Sequence, residues 1–196
     1  MPRNARAPAA AAVSSLSSSS PPACPRLTGF PPAVGDSPRI LVLGSMPSAA
    51  SLAADCYYAH PRNRFWPMVA ACLGFEAALS YEERLVAFTA AGVALWDTIE
   101  SCERTGSLDS SILRPTVNNF PKLLGEHPTI RRICLNSGKA AEVWRRYAVP
   151  MLANDGINPD LLDVRALPST SPANARMRLA DLIEIWRPAL DVVTVY

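Results

Sequence analysis

Ile40-Leu41-Val42-Leu43-Gly44-Ser45-Met46-Pro47-Ser48 sends four apolar residues straight into a glycine and a polar, proline-bearing turn. A short apolar run that ends this way reads as a strand buried among helices. Three more runs have the same character: Val93 to Leu95, Ile130 to Leu135 and Leu162 to Ala166. Helix-like stretches lie between them, over Phe65 to Leu73, Tyr81 to Ala91, Phe120 to Leu124 and Ala140 to Tyr147. A last helix is predicted over Ala173 to Trp186, with Leu179, Leu182, Ile183 and Trp186 on one apolar face. Alternating strands and helices predict an α/β fold with a parallel sheet covered by helices. No internal repeat of solenoid period is present.

Working outward, residues 1–26 are rich in Ala, Ser and Pro, and the chain has no acidic residue before Asp36. Such a segment buries too little apolar surface to offset its ordering entropy and reads as a disordered tail, a targeting peptide being the other reading. Residues 27–196 form one domain, a length sufficient for a single core. The apolar fraction of 49% and charged fraction of 18% fit a globular protein, and no run approaches the roughly 20 apolar residues of a membrane span. The net charge of +2 neither favours nor opposes nucleic acid. Five scattered cysteines and two histidines match no metal spacing, so neither metal nor cofactor is expected; reduced thiols fit a bacterial cytoplasm. A monomer is expected.

Open parallel sheets place ligands beyond the carboxyl ends of their strands. Here those ends run into Gly44 to Ser48, Trp96-Asp97-Thr98, Asn136-Ser137-Gly138 and Leu167 to Pro172. Gly44 lets the backbone come close to a ligand, and the N–H groups that follow can face an anion. In Tyr57-Tyr58-Ala59-His60-Pro61-Arg62-Asn63-Arg64 polar tips alternate with aromatic faces. Core packing accounts for Phe65 and Trp66 but not for this string, which suits stacking a flat ring while reading its edge. Asp97 could accept a base N–H or orient a water, or simply cap a turn. In Leu167 to Arg178, Ser171 and Pro172 are suited to opening a helix, while Ser169, Ser171 and backbone N–H groups suit phosphate contacts. Met177 or Arg176 is a candidate wedge for the gap behind a flipped base. The pairs Arg131/Arg132 and Arg145/Arg146 read as solvated surface charge.

The strings GSMPS, YYAHPRNRFW, GVALWDTIESCERTGSLDSSI and LPSTSPAN together resemble the hypoxanthine-DNA glycosylase branch of the uracil-DNA glycosylase superfamily. The resemblance runs from Gly29 to Trp186. It implies a three-layer αβα sandwich with a four-stranded parallel sheet, and a monofunctional DNA-deoxyinosine glycosylase of base excision repair acting on damaged DNA. Many members of the superfamily carry Asp or Asn just after the first strand's glycine; Gly44-Ser45-Met46-Pro47 has neither. The base-reading Asn of the classical uracil enzymes is replaced by Trp96-Asp97, and the histidine of their H-P-S-P motif is absent from Leu167 to Pro172. The resemblance transfers the water-positioning role to Asn63.

On this reading Asn63 and Ser45 are the catalytic candidates. Gly44, Met46, Tyr58, His60, Phe65 and Asp97 would hold the base. Pro47, Ser48, Ser169, Ser171, Pro172, Asn174, Arg176 and Met177 would contact DNA. Tyr58 or Phe65 would stack on the flipped ring, and His60 would donate to its edge. Hypoxanthine is the expected base, with uracil and xanthine as further substrates. The alternative is a non-catalytic module that binds deaminated DNA; a phosphate-binding enzyme is the more distant rival, lacking a G-x-G-x-x-G or G-K-[ST] signature.

Overall fold

Strand β2 (Ile40–Gly44) is fully buried and pairs in parallel with β3 (Val93–Asp97) on one side and β6 (Arg132–Leu135) on the other. The computed structural model describes residues 25–194, and β7 (Asp163–Ala166) completes its four-stranded parallel sheet in the order β3-β2-β6-β7. Alternate residues of β2 point to opposite faces, as strand geometry requires. Ile40 and Val42 meet Phe65, Met68, Phe88, Leu182 and Trp186 on one face, whereas Leu41 and Leu43 meet Phe120, Leu124, Trp144 and Leu152 on the other. These two clusters are the layers of an αβα sandwich. The first is supplied by α2 (Phe65–Leu73), α3 (Tyr81–Ala90) and α7 (Leu179–Trp186), the second by α4 (Phe120–Glu126), α5 (Gly138–Val143) and α6 (Val149–Asn154). A short α1 (Ala49–Ala54) follows β2.

The second sheet is the main departure from expectation. Strands β1 (Arg26–Thr28), β4 (Ile99–Glu103) and β5 (Leu113–Val117) pair antiparallel in the order β1-β4-β5. They are short and half exposed, and β5 contains Pro115 on an edge, where the missing N–H breaks no ladder. Without an apolar alternation they leave no strand signal in the sequence. Arg26 opens β1, while the rest of the segment read as a tail lies almost wholly in residues 1–24, outside the described residues.

Two helix expectations are corrected. The helix expected to end at Tyr147 continues, because residues Trp144–Ala148 widen into a π-helical turn that leads into α6 with Pro150 in its first turn. The last helix starts at Leu179 rather than Ala173, with Arg178 and Asp181 forming its cap. The carbonyls of Ser171, Asn174 and Met177 accept from the Arg64 guanidinium instead of from a helical ladder. Ser171 therefore caps no helix; its hydroxyl accepts from the Ala173 N–H within a turn. Arg132 is also corrected from surface charge to a buried group, paired with Asp163 at 2.6 Å and donating to the Ala189 and Asp191 carbonyls. Arg131, Arg145 and Arg146 are exposed. Among the described residues Cys56, Cys72 and Cys134 are free thiols, and no helix is long and apolar enough to cross a membrane.

Candidate active site

From β2 the chain adds β3 on one side and β6 on the other, so the carboxyl ends of β2 and β6 mark the point where strand order reverses. A cavity of about 690 Å³ opens there, a size that suits a small organic ligand. Asn136, one residue past β6, ties its walls together. Its backbone N–H donates to the Leu43 carbonyl at 2.8 Å. Its Nδ2 donates to the Tyr58 hydroxyl at 3.1 Å and to Thr170 Oγ1 at 3.0 Å, and its Oδ1 accepts from the Thr170 N–H at 3.0 Å. One buried amide thus joins β2, β6, the aromatic loop and the loop after β7, with both of its Nδ2 protons donated and its Oδ1 accepting.

Tyr58 forms one wall of the cavity. It sits in left-handed backbone at φ 56°, a conformation uncommon for a bulky residue, and its ring stacks on Phe65 at 3.9 Å between centroids. Phe65 itself is wholly buried behind Tyr58, so of the two stacking candidates only Tyr58 faces the cavity. Burial, and after it the nearby Asp97 carboxyl, push the Tyr58 phenol far above its ordinary range. Its oxygen accepts from Asn136, which leaves the hydroxyl proton to donate elsewhere. His60 and Asn63 line the same cavity. His60 Nδ1 accepts from the Arg62 N–H at 3.1 Å, so in the neutral ring the proton is on Nε2, a donor. Asn63 Oδ1 accepts from the Phe65 N–H at 3.0 Å, which orients the amide and leaves one carbonyl lone pair and both amide protons.

Two carboxyl groups reach the cavity from the other side. Asp97, at the end of β3, is 4% exposed, and its Oδ2 has no hydrogen-bond partner. Burial first, then the Asp109 carboxylate, push its pKa up to about 7, with the Arg104 guanidinium opposing them. Asp109, on the turn Asp109–Ser111, accepts from the Ser45 hydroxyl at 2.5 Å. A side chain at Gly44 has no room, because a Cβ there would collide with Asp97 Oδ1 and come within 3.1 Å of the Tyr58 hydroxyl. Gly44→Ala is therefore expected to lower unfolding free energy by about 1–3 kcal/mol through overpacking. Gly125→Ala, in α4 with open space around it, should instead stabilise by about 0.5–1 kcal/mol. Denaturant midpoints of the two variants check both signs.

The rim consists of Met46 and Ser48 on one side and Ser169, Ser171, Pro172 and Asn174 on the other. Ser48 caps α1, accepting from the Ser51 N–H at 3.1 Å. The loop after β7 is held by its own turns and by Arg64, whose guanidinium donates to three of its carbonyls and whose N–H donates to Thr170. Three expected DNA contacts lie off the cavity wall. Pro47 is buried and its carbonyl accepts from Arg104, Met177 packs half-buried against the cluster around Leu182 and Trp186, and Arg176 is exposed and does not line the cavity. Arg64, Asp109 and Thr170 were not singled out from the sequence, since their roles depend on contacts with chain distant in sequence. Among the described residues no group of three or more His, Cys, Asp or Glu side chains could hold a metal ion.

A doubly wound sheet carrying this cavity at its switch point, with Tyr58, His60 and Asn63 on one loop, agrees with what comparison with known proteins shows. Residues 31–189 match the model of the uracil DNA glycosylase superfamily, and the chain belongs to that family. It is 35% identical over 149 residues to the hypoxanthine DNA glycosylase of Methanosarcina acetivorans, covering 76% of this chain and 88% of that one. The hypoxanthine DNA glycosylase of Methanosarcina barkeri is 32% identical over 115 residues, covering 58% and 73%. The fold matches the solution NMR structure of a provisionally named uracil DNA glycosylase from Methanosarcina acetivorans with a TM-score of 0.68 at 32% identity, over 84% of this chain and 98% of that one.

Proposed function

We propose that the chain is a monofunctional DNA glycosylase that releases a deaminated base, hypoxanthine foremost, from a nucleotide flipped into the Gly44–Asn136 cavity. The observation that carries the reading is the convergence of Tyr58, His60, Asn63 and Asp97 on one cavity at the strand ends. A purine stacks on the Tyr58 ring, which Phe65 backs from behind. A water held on the remaining lone pair of Asn63 Oδ1 attacks the sugar C1′. The C1′–N9 electrons leave with the base, whose growing negative charge is met by the His60 Nε2–H, and the water's proton passes to solvent. The positive charge on the sugar and the negative charge on the base develop together, so fixed donors at the base and a positioned water supply the catalysis.

The test is release of base from end-labelled duplexes containing one inosine, uracil or xanthine, followed by hot alkali. Strand cleavage that depends on inosine and appears only after alkali is the expected result. Binding to inosine duplex without alkali-dependent cleavage on any substrate would overturn catalysis and favour a damage-binding module. Contact of arginine side chains with DNA phosphates also predicts affinity that falls as salt rises.

A further inference from the structure

Asp97 lines the cavity with a carboxyl group that the fold leaves incompletely bonded. Its backbone is fixed, since Gly44 is its register partner across the β2–β3 pair and Asn118 Nδ2 donates to its carbonyl at 2.8 Å. Its side chain is buried, and Oδ2 has no hydrogen-bond partner. The cation that acts on it, Arg104, is not bonded to it. That guanidinium donates to the Pro47 carbonyl, and its Nε and Nη1 have no partner either.

The remaining groups around this carboxyl are Asp109, the Tyr57 and Tyr58 phenols, and His60 on the same cavity wall. Burial holds both phenols in their neutral form. Burial and the Asp109 charge outweigh Arg104 and keep a proton on Asp97 up to about pH 7. An acid that retains its proton to that point is matched to proton transfer at neutral pH.

The chemistry of the leaving base gives this proton a use. Hypoxanthine departs through N9, and N7 of the same five-membered ring carries a free lone pair. A proton delivered to N7 draws the C1′–N9 electrons into the ring, so the base leaves neutral. Uracil departs through N1 and has no other ring nitrogen with a free lone pair. Proton transfer of this kind therefore assists a purine and not a pyrimidine.

We propose that Asp97 is the general acid of the reaction, giving its proton to N7 of the flipped purine as the C1′–N9 bond breaks. The inference rests on the proposed glycosylase reading and names the group that favours hypoxanthine. The Asp97 proton passes to N7, the C1′–N9 electron pair goes to the base, and water bonds to C1′. The water's surplus proton leaves to solvent, and the Asp97 carboxylate takes a proton back from solvent before the next turnover.

The experiment measures single-turnover base release from pH 5 to pH 9 with wild type and Asp97→Asn. The duplexes carry either deoxyinosine or 7-deaza-deoxyinosine, in which a C–H replaces N7 and no proton can be accepted. Denaturant titration at each pH separates a fall in rate from unfolding. On inosine the wild-type rate is expected to fall by about tenfold per pH unit above 7, as the acid ionises. Asp97→Asn keeps the shape of the side chain but has no proton to transfer. It should release hypoxanthine about 10²-fold more slowly at pH 6, with a flat profile and inosine-duplex affinity within a few-fold of wild type. On the 7-deaza duplex the same substitution should slow release by less than about threefold, because the proton it removes was not in use. A purely structural role would slow both substrates alike. Equal losses on the two duplexes, or an inosine profile of the same shape in both proteins, would overturn the assignment. Base release by wild type that does not depend on Asp97 removes the acid alone; no release from any duplex removes the glycosylase reading and the acid with it.

Discussion

Asn63→Ala is expected to slow single-turnover release of hypoxanthine by about 10²- to 10³-fold while inosine-duplex affinity changes only a few-fold. The split between rate and affinity follows from the role assigned to the side chain, which touches the water and not the DNA backbone. One complication is visible in the structure. Asn63 Oδ1 already accepts from the Phe65 N–H at the start of α2, so removing it also leaves a helix N–H unpaired. That loss resembles loss of a cap, about 1 kcal/mol, and a denaturant titration measures it separately. Asn63→Asp keeps an acceptor oxygen for Phe65 and should restore the stability. A fully active Asn63→Ala enzyme would sink the water-positioning role whatever its stability.

The second large effect is on stability and is set by Asp97. Its folded-state pKa of about 7 lies above its ordinary value of 3.8, so the folded protein retains a proton that the unfolded chain gives up. The sign follows from linkage: stability is full below about pH 4 as far as this group is concerned, and is lost as pH rises through 7. With roughly 1.4 kcal/mol per pKa unit, the loss between pH 5 and pH 9 is on the order of a few kcal/mol. The carboxyls held below their ordinary range, Glu83, Asp163 and Asp181, act in the opposite sense, and only at more acid pH. Asp97→Asn removes the ionising group and should be more stable than wild type at pH 9, with a flatter profile from pH 5 to pH 9. Parallel profiles for the two proteins would show that Asp97 is ionised in the fold, with its charge matched by Arg104.

Retaining such a group in a buried position, with an unpaired Oδ2, is costly to the fold and gains nothing for packing. Asp97 is held there by the same geometry that demands Gly44, since the carboxyl occupies the volume a Gly44 side chain would fill. The cavity is therefore a place where the protein accepts local instability, as sites that must meet a polar ligand commonly do.

By itself the sequence determined the sheet and most of the cavity wall. The runs Ile40 to Leu43 and Val93 to Leu95 are legible because a strand buried on both faces must be apolar throughout, and they point to where the chain turns at Gly44 and Asp97. Tyr58, His60 and Asn63 are legible because their polar, proline-broken string has no use in a core. Tertiary structure alone decided the rest. The antiparallel β1-β4-β5 sheet, the Asn136 hub, the Arg64 clamp and the Ser45–Asp109 bond each join residues remote in sequence. Local pattern records whether a side chain is apolar and how often it recurs; it does not record which distant carbonyl a guanidinium will reach. That is why Phe65, expected at the site, lies buried in the core, and Met177, expected there too, packs half-buried against the same cluster, while Leu108 in a serine-rich loop lines the cavity.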